Sequence, residues 1–107
     1  METLKNILAN KGATLNAKGE AVAYSNGYQV SVQDICTMPV RYLHKHTINF
    51  YRSKLAEDEY LGIWIDNGIA YIDKSKNIKY KKDAMRLGRE NKQISVWDWR
   101  KGCAVYC

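Results

Sequence analysis

Residues 60–73 read as a β-hairpin before anything else about the chain is considered. Tyr60-Leu61-Gly62-Ile63-Trp64-Ile65-Asp66 and Ile69-Ala70-Tyr71-Ile72-Asp73 are rich in branched and aromatic residues, and Asn67-Gly68 joins them. A two-residue hairpin turn needs positive φ at both central positions, which asparagine tolerates and glycine adopts freely. A lone hairpin is marginal in water, so the rest of the chain has to extend it or cover it. With 107 residues, 46% of them hydrophobic, and a single proline, there is material for one core and hence one domain, residues 1–107.

The covering elements follow from periodicity. Leu4, Ile7 and Leu8 have helical spacing over residues 3–11, with Gly12 placed as a left-handed stop. Ala13-Thr14-Leu15, Glu20–Tyr24 and Tyr28–Val32 are expected as three short antiparallel strands, turning at Asn16–Gly19 and at Asn26-Gly27. Pro39 breaks the chain after Cys36-Thr37-Met38. Leu43, Ile48, Tyr51 and Leu55 then form a helical stripe from about Val40 to Glu57-Asp58-Glu59, capped by Thr47 if the helix starts late. A third helix spans Lys81–Asn91, with Ala84, Leu87 and Gly88 on one face and Lys82, Arg86 and Arg89 on the other. Gln93–Trp97 and Cys103–Tyr106 close the chain as strands around an Arg100-Lys101-Gly102 turn. The expected class is α+β, about three helices packed on antiparallel hairpins.

Charge is concentrated in one segment. The chain carries a net +6, and residues 74–92 hold Lys74, Lys76, Lys79, Lys81, Lys82, Arg86, Arg89 and Lys92 against only Asp83 and Glu90. The remainder of the chain is balanced, so the whole excess lies here. Such a field draws polyanions or an acidic protein face before any specific contact forms. The plainer account is a solvated helix face that serves solubility.

Familiar catalytic spacings are missing: there is no G-x-S-x-G, H-E-x-x-H, G-x-x-x-x-G-K-[ST] or G-x-G-x-x-G. A catalytic reading would rest on His44 and His46, the only histidines, with Asp66, Asp73 or Asp98 brought near by folding. Both histidines lie among Arg41, Lys45 and aromatic neighbours, where solvent exposure is the simpler account. Cys36, His44, His46, Cys103 and Cys107 offer zinc-type ligands, but not in paired knuckles. Cys103 and Cys107 would sit about 13 Å apart on an extended strand. No cofactor or metal is expected. An odd set of three cysteines is too sparse for a disulfide scaffold. No apolar run approaches membrane-spanning length and no secretory leader precedes the first helix, so the expected location is the cytoplasm.

Binding fits the composition better than catalysis. Lys79, Lys81, Lys82, Arg86, Arg89 and Lys92 can neutralise phosphates, with Trp99 as a stacking surface nearby in sequence. Trp97 and Trp99 share a strand face, and one face of a small sheet is normally core, which weighs against both. No helix-turn-helix or RNP motif appears, so contact with DNA or RNA would be directed at the backbone. Twelve aromatic residues, eight of them tyrosine, also suit a protein interface.

The run from Gly62-Ile63-Trp64-Ile65-Asp66-Asn67-Gly68 through Tyr71-Ile72-Asp73 to Ala84–Asp98 resembles small accessory proteins of phages and conjugative elements in Gram-positive bacteria. These pair a Gly-x-Trp-x-Asp hairpin with a helix and a closing Gln-x-x-x-Trp-Asp strand, and the likeness covers roughly residues 60–99. It implies a non-enzymatic protein that blocks a host defence complex such as a CRISPR-Cas nuclease, within the host bacterial cell. It supplies no functional residues. Inhibitors that imitate DNA are acidic, so a basic chain would instead grip guide RNA, DNA or an acidic surface. A general nucleic-acid-binding or regulatory module is the alternative.

Overall fold

A computed structural model describes residues 2–107. Along the chain it has α1 (Glu2–Asn10), β1 (Gly12–Leu15), β2 (Tyr28–Pro39), a 3-10 turn (Val40–Tyr42), α2 (Lys45–Arg52), β3 (Glu59–Asp66), β4 (Ile69–Ile78), α3 (Lys81–Glu90), β5 (Ser95–Asp98) and β6 (Cys103–Tyr106). The strands make one six-stranded antiparallel sheet in the order β1-β3-β4-β2-β5-β6, so the class is α+β.

The β3–β4 hairpin forms where the sequence places it. Asn67 and Gly68 take φ of 50° and 75°, the pair of positive values that a twist-matched two-residue turn requires. Alternation along the strands then gives the sheet two unlike faces. Leu61, Ile63, Ala70 and Ile72 point to one side, where Ile7 of α1, Leu15, Leu43 and Ile48 of α2 join them in the main core. Val30 and Val96 point to the same side further along and are covered by Ala84 of α3 in a second cluster. That approach is close: a Cβ on Gly88 would meet the Cys107 sulfur at 2.7 Å and Val96 Cγ1 at 3.0 Å. Among the described residues, all three helices thus lie on one face, and the opposite face carries no helix.

Several expectations are corrected. Residues 20–24 do not form a strand; only an isolated bridge joins Ala21 to Leu15. The reason is competition, because β2 bonds to β4 along its length and to β5 at its start, leaving no free edge for a hairpin at Asn26-Gly27. Asn16 instead organises the preceding turn, its Oδ1 accepting from the N–H groups of Lys18 and Glu20. The strand from Tyr28 runs on to Pro39, which ends it where the missing N–H costs nothing in the ladder. The helix expected from Val40 to Glu59 is divided into the 3-10 turn and the shorter α2. Thr47 lies inside α2, its hydroxyl donating to the Tyr42 carbonyl, while His44 holds the N-cap position. The left-handed stop after α1 is Lys11, φ 58°, one residue before the glycine. Within the basic segment, Lys74 and Lys76 lie on β4, ahead of α3.

Two bulges in β2, between Ser31 and Gln33 and between Asp34 and Cys36, add curl to the sheet. The open face becomes concave, and residues of β1 and β5–β6, at opposite ends of the sheet order, line a single concavity of about 550 Å³.

Candidate binding surfaces on the two faces of the sheet

α3 carries its cations outward because its apolar residues face the sheet. Ala84 and Gly88 are buried, whereas Lys81, Lys82, Arg86 and Arg89 are exposed, as are the flanking Lys79 and Lys92. Lys82, Arg86 and Arg89 follow one stripe, with about 10 Å of helix rise from first to last. The structure separates this set from the rest of the basic segment. Lys74 pairs with Glu59 at 3.5 Å and Lys76 with Asp58 at 3.6 Å, so those two charges are balanced by the strand and loop beside them. Arg86 shares its charge with Asp83 at 3.4 Å and Glu90 at 4.0 Å. Lys79 lies over the Tyr80 ring at 5.3 Å. Lys81, Lys82, Arg89 and Lys92 have no acidic partner within salt-bridge distance among the described residues.

Trp99 is elsewhere. It follows β5 and lines the concave face, across the sheet from α3. Trp97, paired with Gln29, lies on that face too and is 39% exposed, whereas the preceding Val96 points to the other face and belongs to the core. The expectation that the tryptophan face is core is therefore corrected. Trp64 of β3 lines the same concavity and is 60% exposed, so all three tryptophans border one space.

Elsewhere in a small curled sheet, concave positions are filled by bulky side chains. Here several are small, although Trp64, Trp97, Trp99 and Gln29 share the face. Gly12 and Thr14 of β1 and Gly62 of β3 line one part, and Ser31, Ser75 and Ser95 another. Gly62 has no room for a side chain, because a Cβ would overlap the Asp73 carboxyl group. Gln29 Oε1 accepts from Trp99 Nε1 at 3.1 Å and from Asn77 Nδ2 at 3.2 Å, and Gln29 Nε2 donates to Ser75 Oγ at 2.8 Å. This chain spends the Gln29 amide and holds the Trp99 ring in place. Trp97 and Trp99 meet edge to face at 6.3 Å, and Trp99 meets Tyr24 in the same way at 5.6 Å. The Tyr24 and Tyr60 hydroxyls share a hydrogen bond of 2.7 Å, which with partial burial pushes Tyr24 up to about 12.

Two buried groups of the floor, Ser31 and Asp73, lie side by side. Ser31 Oγ is buried against the Asp73 carboxyl group. Burial, and then the charge of Asp34 on β2, push the Asp73 carboxyl up to about 6; the nearby Ser31 hydroxyl and Gly62 backbone oppose this only in part.

The catalytic and metal constellations are not brought together. His44 and His46 are exposed at the start of α2, on the helical side of the sheet. Asp66 lies at the hairpin tip, Asp73 on the concave face, and Asp98 accepts from the Lys101 N–H in the β5–β6 turn. Cys36 donates to the Tyr51 hydroxyl at 3.3 Å, while Cys103 and Cys107 are exposed. Among the described residues, no group of three or more histidine, cysteine or acidic side chains is disposed to share a metal ion, and no helix is long and apolar enough to cross a membrane. Comparison of the chain with protein-family models, with curated proteins and with solved structures finds no match.

Proposed function

We propose that the protein is a non-catalytic binding protein that docks through α3 onto a phosphate-bearing surface, free nucleic acid or nucleic acid exposed on a nucleoprotein. One observation carries this reading. Lys81, Lys82, Arg89 and Lys92, on and beside α3, are exposed and lack acidic partners among the described residues, while Lys74 and Lys76 of the same basic segment are paired with Glu59 and Asp58. A face kept only for solubility gains nothing from such segregation, since mixed charge serves it as well. Phosphates accept from lysine and arginine in the absence of any base-reading element, so affinity would be high at low salt and sequence preference weak.

The resemblance of residues 60–99 to phage and conjugative-element proteins makes a host defence nucleoprotein such as a CRISPR-Cas nuclease the favoured partner. In that role the α3 face would occupy the guide RNA or DNA path and inhibit by exclusion. The test is a pair of titrations, of labelled DNA and RNA and of a guide-loaded nuclease, with the natural protein and with a Lys82→Glu, Arg86→Glu, Arg89→Glu variant. The variant is expected to lose at least about tenfold in affinity for whichever target binds, because the Lys82 and Arg89 phosphate contacts become repulsions and the charge of the face is reversed. Equal affinity of the two proteins for every target would remove α3 from the binding surface. A general nucleic-acid-binding module is the outcome if naked strands bind as tightly as the assembled nuclease.

A further inference from the structure

We infer that the protein pairs with a second copy of itself through the free edge of β6, joining two sheets into one across a two-fold axis. This goes beyond the α3 reading and uses none of its residues. The two edges of the sheet differ. The β1 edge is closed, since Ala21 bridges to Leu15 and the Val22 N–H donates to the Thr14 carbonyl at 2.9 Å. The β6 edge is bare: among the described residues, no strand or bridge lies outside Cys103–Tyr106. Edge strands are ordinarily guarded by a charge, a proline or a bulge. Residues 103–107, Cys-Ala-Val-Tyr-Cys, have neither charge nor proline, and β6 follows β5 without a break in register. Cys103, Ala104, Tyr106 and Cys107 are exposed, Tyr106 to 77%.

The register of β6 on β5 decides what this edge fits. The Cys107 N–H donates to the Ile94 carbonyl at 2.9 Å, so Cys107, Val105 and Cys103 turn their backbone groups to β5, and Ala104 and Tyr106 turn theirs outward. Under a two-fold axis that pattern is its own complement, with Ala104 bonding to Tyr106 of the second copy and Tyr106 to its Ala104. The other allowed register, centred on Ala104, would set Tyr106 against Gly102, which has left the strand at φ 65°, whereas Cys107 continues the ladder. In the favoured register Val105 meets its own copy and each tyrosine lies beside an alanine. Cys103 faces Cys107 twice, at non-hydrogen-bonded positions with Cα atoms about 4.5 Å apart, within the span of a disulfide. No like charges are opposed along residues 103–107. So short a strand buries less than the roughly 1,200 Å² of a stable interface, and the dimer is therefore reversible, filling at high micromolar concentration. Each chain has a net charge of +6, so salt strengthens the pairing by screening, the opposite of its effect on phosphate binding at α3. The axis is perpendicular to the sheet, which leaves both α3 helices on one side of the dimer.

Sedimentation equilibrium of the full chain under reductant, from micromolar to millimolar concentration, is expected to show a monomer–dimer equilibrium that strengthens with salt. Tyr106→Lys, at a position exposed enough to leave the fold intact, puts a charge on the edge and should raise the dissociation constant at least about tenfold with an unchanged circular dichroism spectrum. The register is read by trapping. Copper–phenanthroline, an oxidant that takes two electrons from a pair of thiols, should give a covalent dimer of the natural chain. Cys103→Ser and Cys107→Ser should each give little, because every bond joins Cys103 to Cys107, and an equal mixture of the two variants should give it again. A monomer at every concentration, the behaviour of an edge reserved for a strand of another protein, would overturn the inference. So would a dimer that Tyr106→Lys leaves unchanged, or trapping as efficient in either serine variant as in the natural chain.

Discussion

Asp73, on the concave face, is ionised at neutral pH at a cost to the fold. Its carboxyl group is held over Gly62 and beside Ser31, and burial followed by the Asp34 charge pushes it up to about 6 from an ordinary value near 4. Between about pH 4 and 6 the folded protein keeps a proton that the unfolded chain has released, so this group makes stability fall as pH rises through that window. Above it the full cost stands. Asp73→Asn should therefore be more stable than the natural protein at pH 7 by about 3 kcal/mol, with the difference vanishing near pH 4. Urea denaturation of both proteins across that range checks it, and a difference independent of pH would mean that the carboxyl group titrates normally. The sequence shows Asp73 only as one of several carboxylates. Its partner Asp34 and its neighbour Ser31 lie far away in the chain, and the β2 bulges that set their register leave no mark that a single sequence discloses.

At the scale of elements, legibility follows the range of the interactions that decide each one. The β3–β4 hairpin and α3 are set by Asn67-Gly68 and by the spacing of Ala84, Leu87 and Gly88, which are local signals, and both form as the sequence indicates. Residues 20–24 and the division of the helix after Pro39 were decided by competition for sheet edges and by packing, which are not local. The end of α3 joins element to function. Lys92 adopts φ 58°, where glycine would be unstrained, and the Gln93 N–H returns to the Gly88 carbonyl at 2.8 Å to close the helix. A lysine held there costs about 1 kcal/mol relative to glycine, so Lys92→Gly should raise the melting temperature while weakening binding to the phosphate-bearing target. Thermal melts beside the α3 titrations measure both. Loss of stability together with binding would show that Lys92 serves the fold instead of the surface.

For the whole molecule, the sheet divides two surfaces of different chemistry, a cationic helix on one side and an aromatic, largely neutral concavity on the other. The cationic side was legible in the sequence because its charges are consecutive, although the sequence does not reveal that Lys74 and Lys76 are neutralised on β4. The concave side was legible only as a surplus of aromatics, since Trp64, Trp97 and Trp99 meet through the order of six strands. The most direct test of the α3 reading is the salt dependence of binding to single-stranded nucleic acid, or to the guide-loaded nuclease if naked strands do not bind. With Lys79, Lys81, Lys82, Arg89 and Lys92 on phosphates, the logarithm of the association constant for a strand should fall against the logarithm of salt concentration with a slope of about −3 to −4. Reversing the α3 charges should flatten that slope. A slope near zero, or a steep slope that the variant leaves unchanged, would contradict the account.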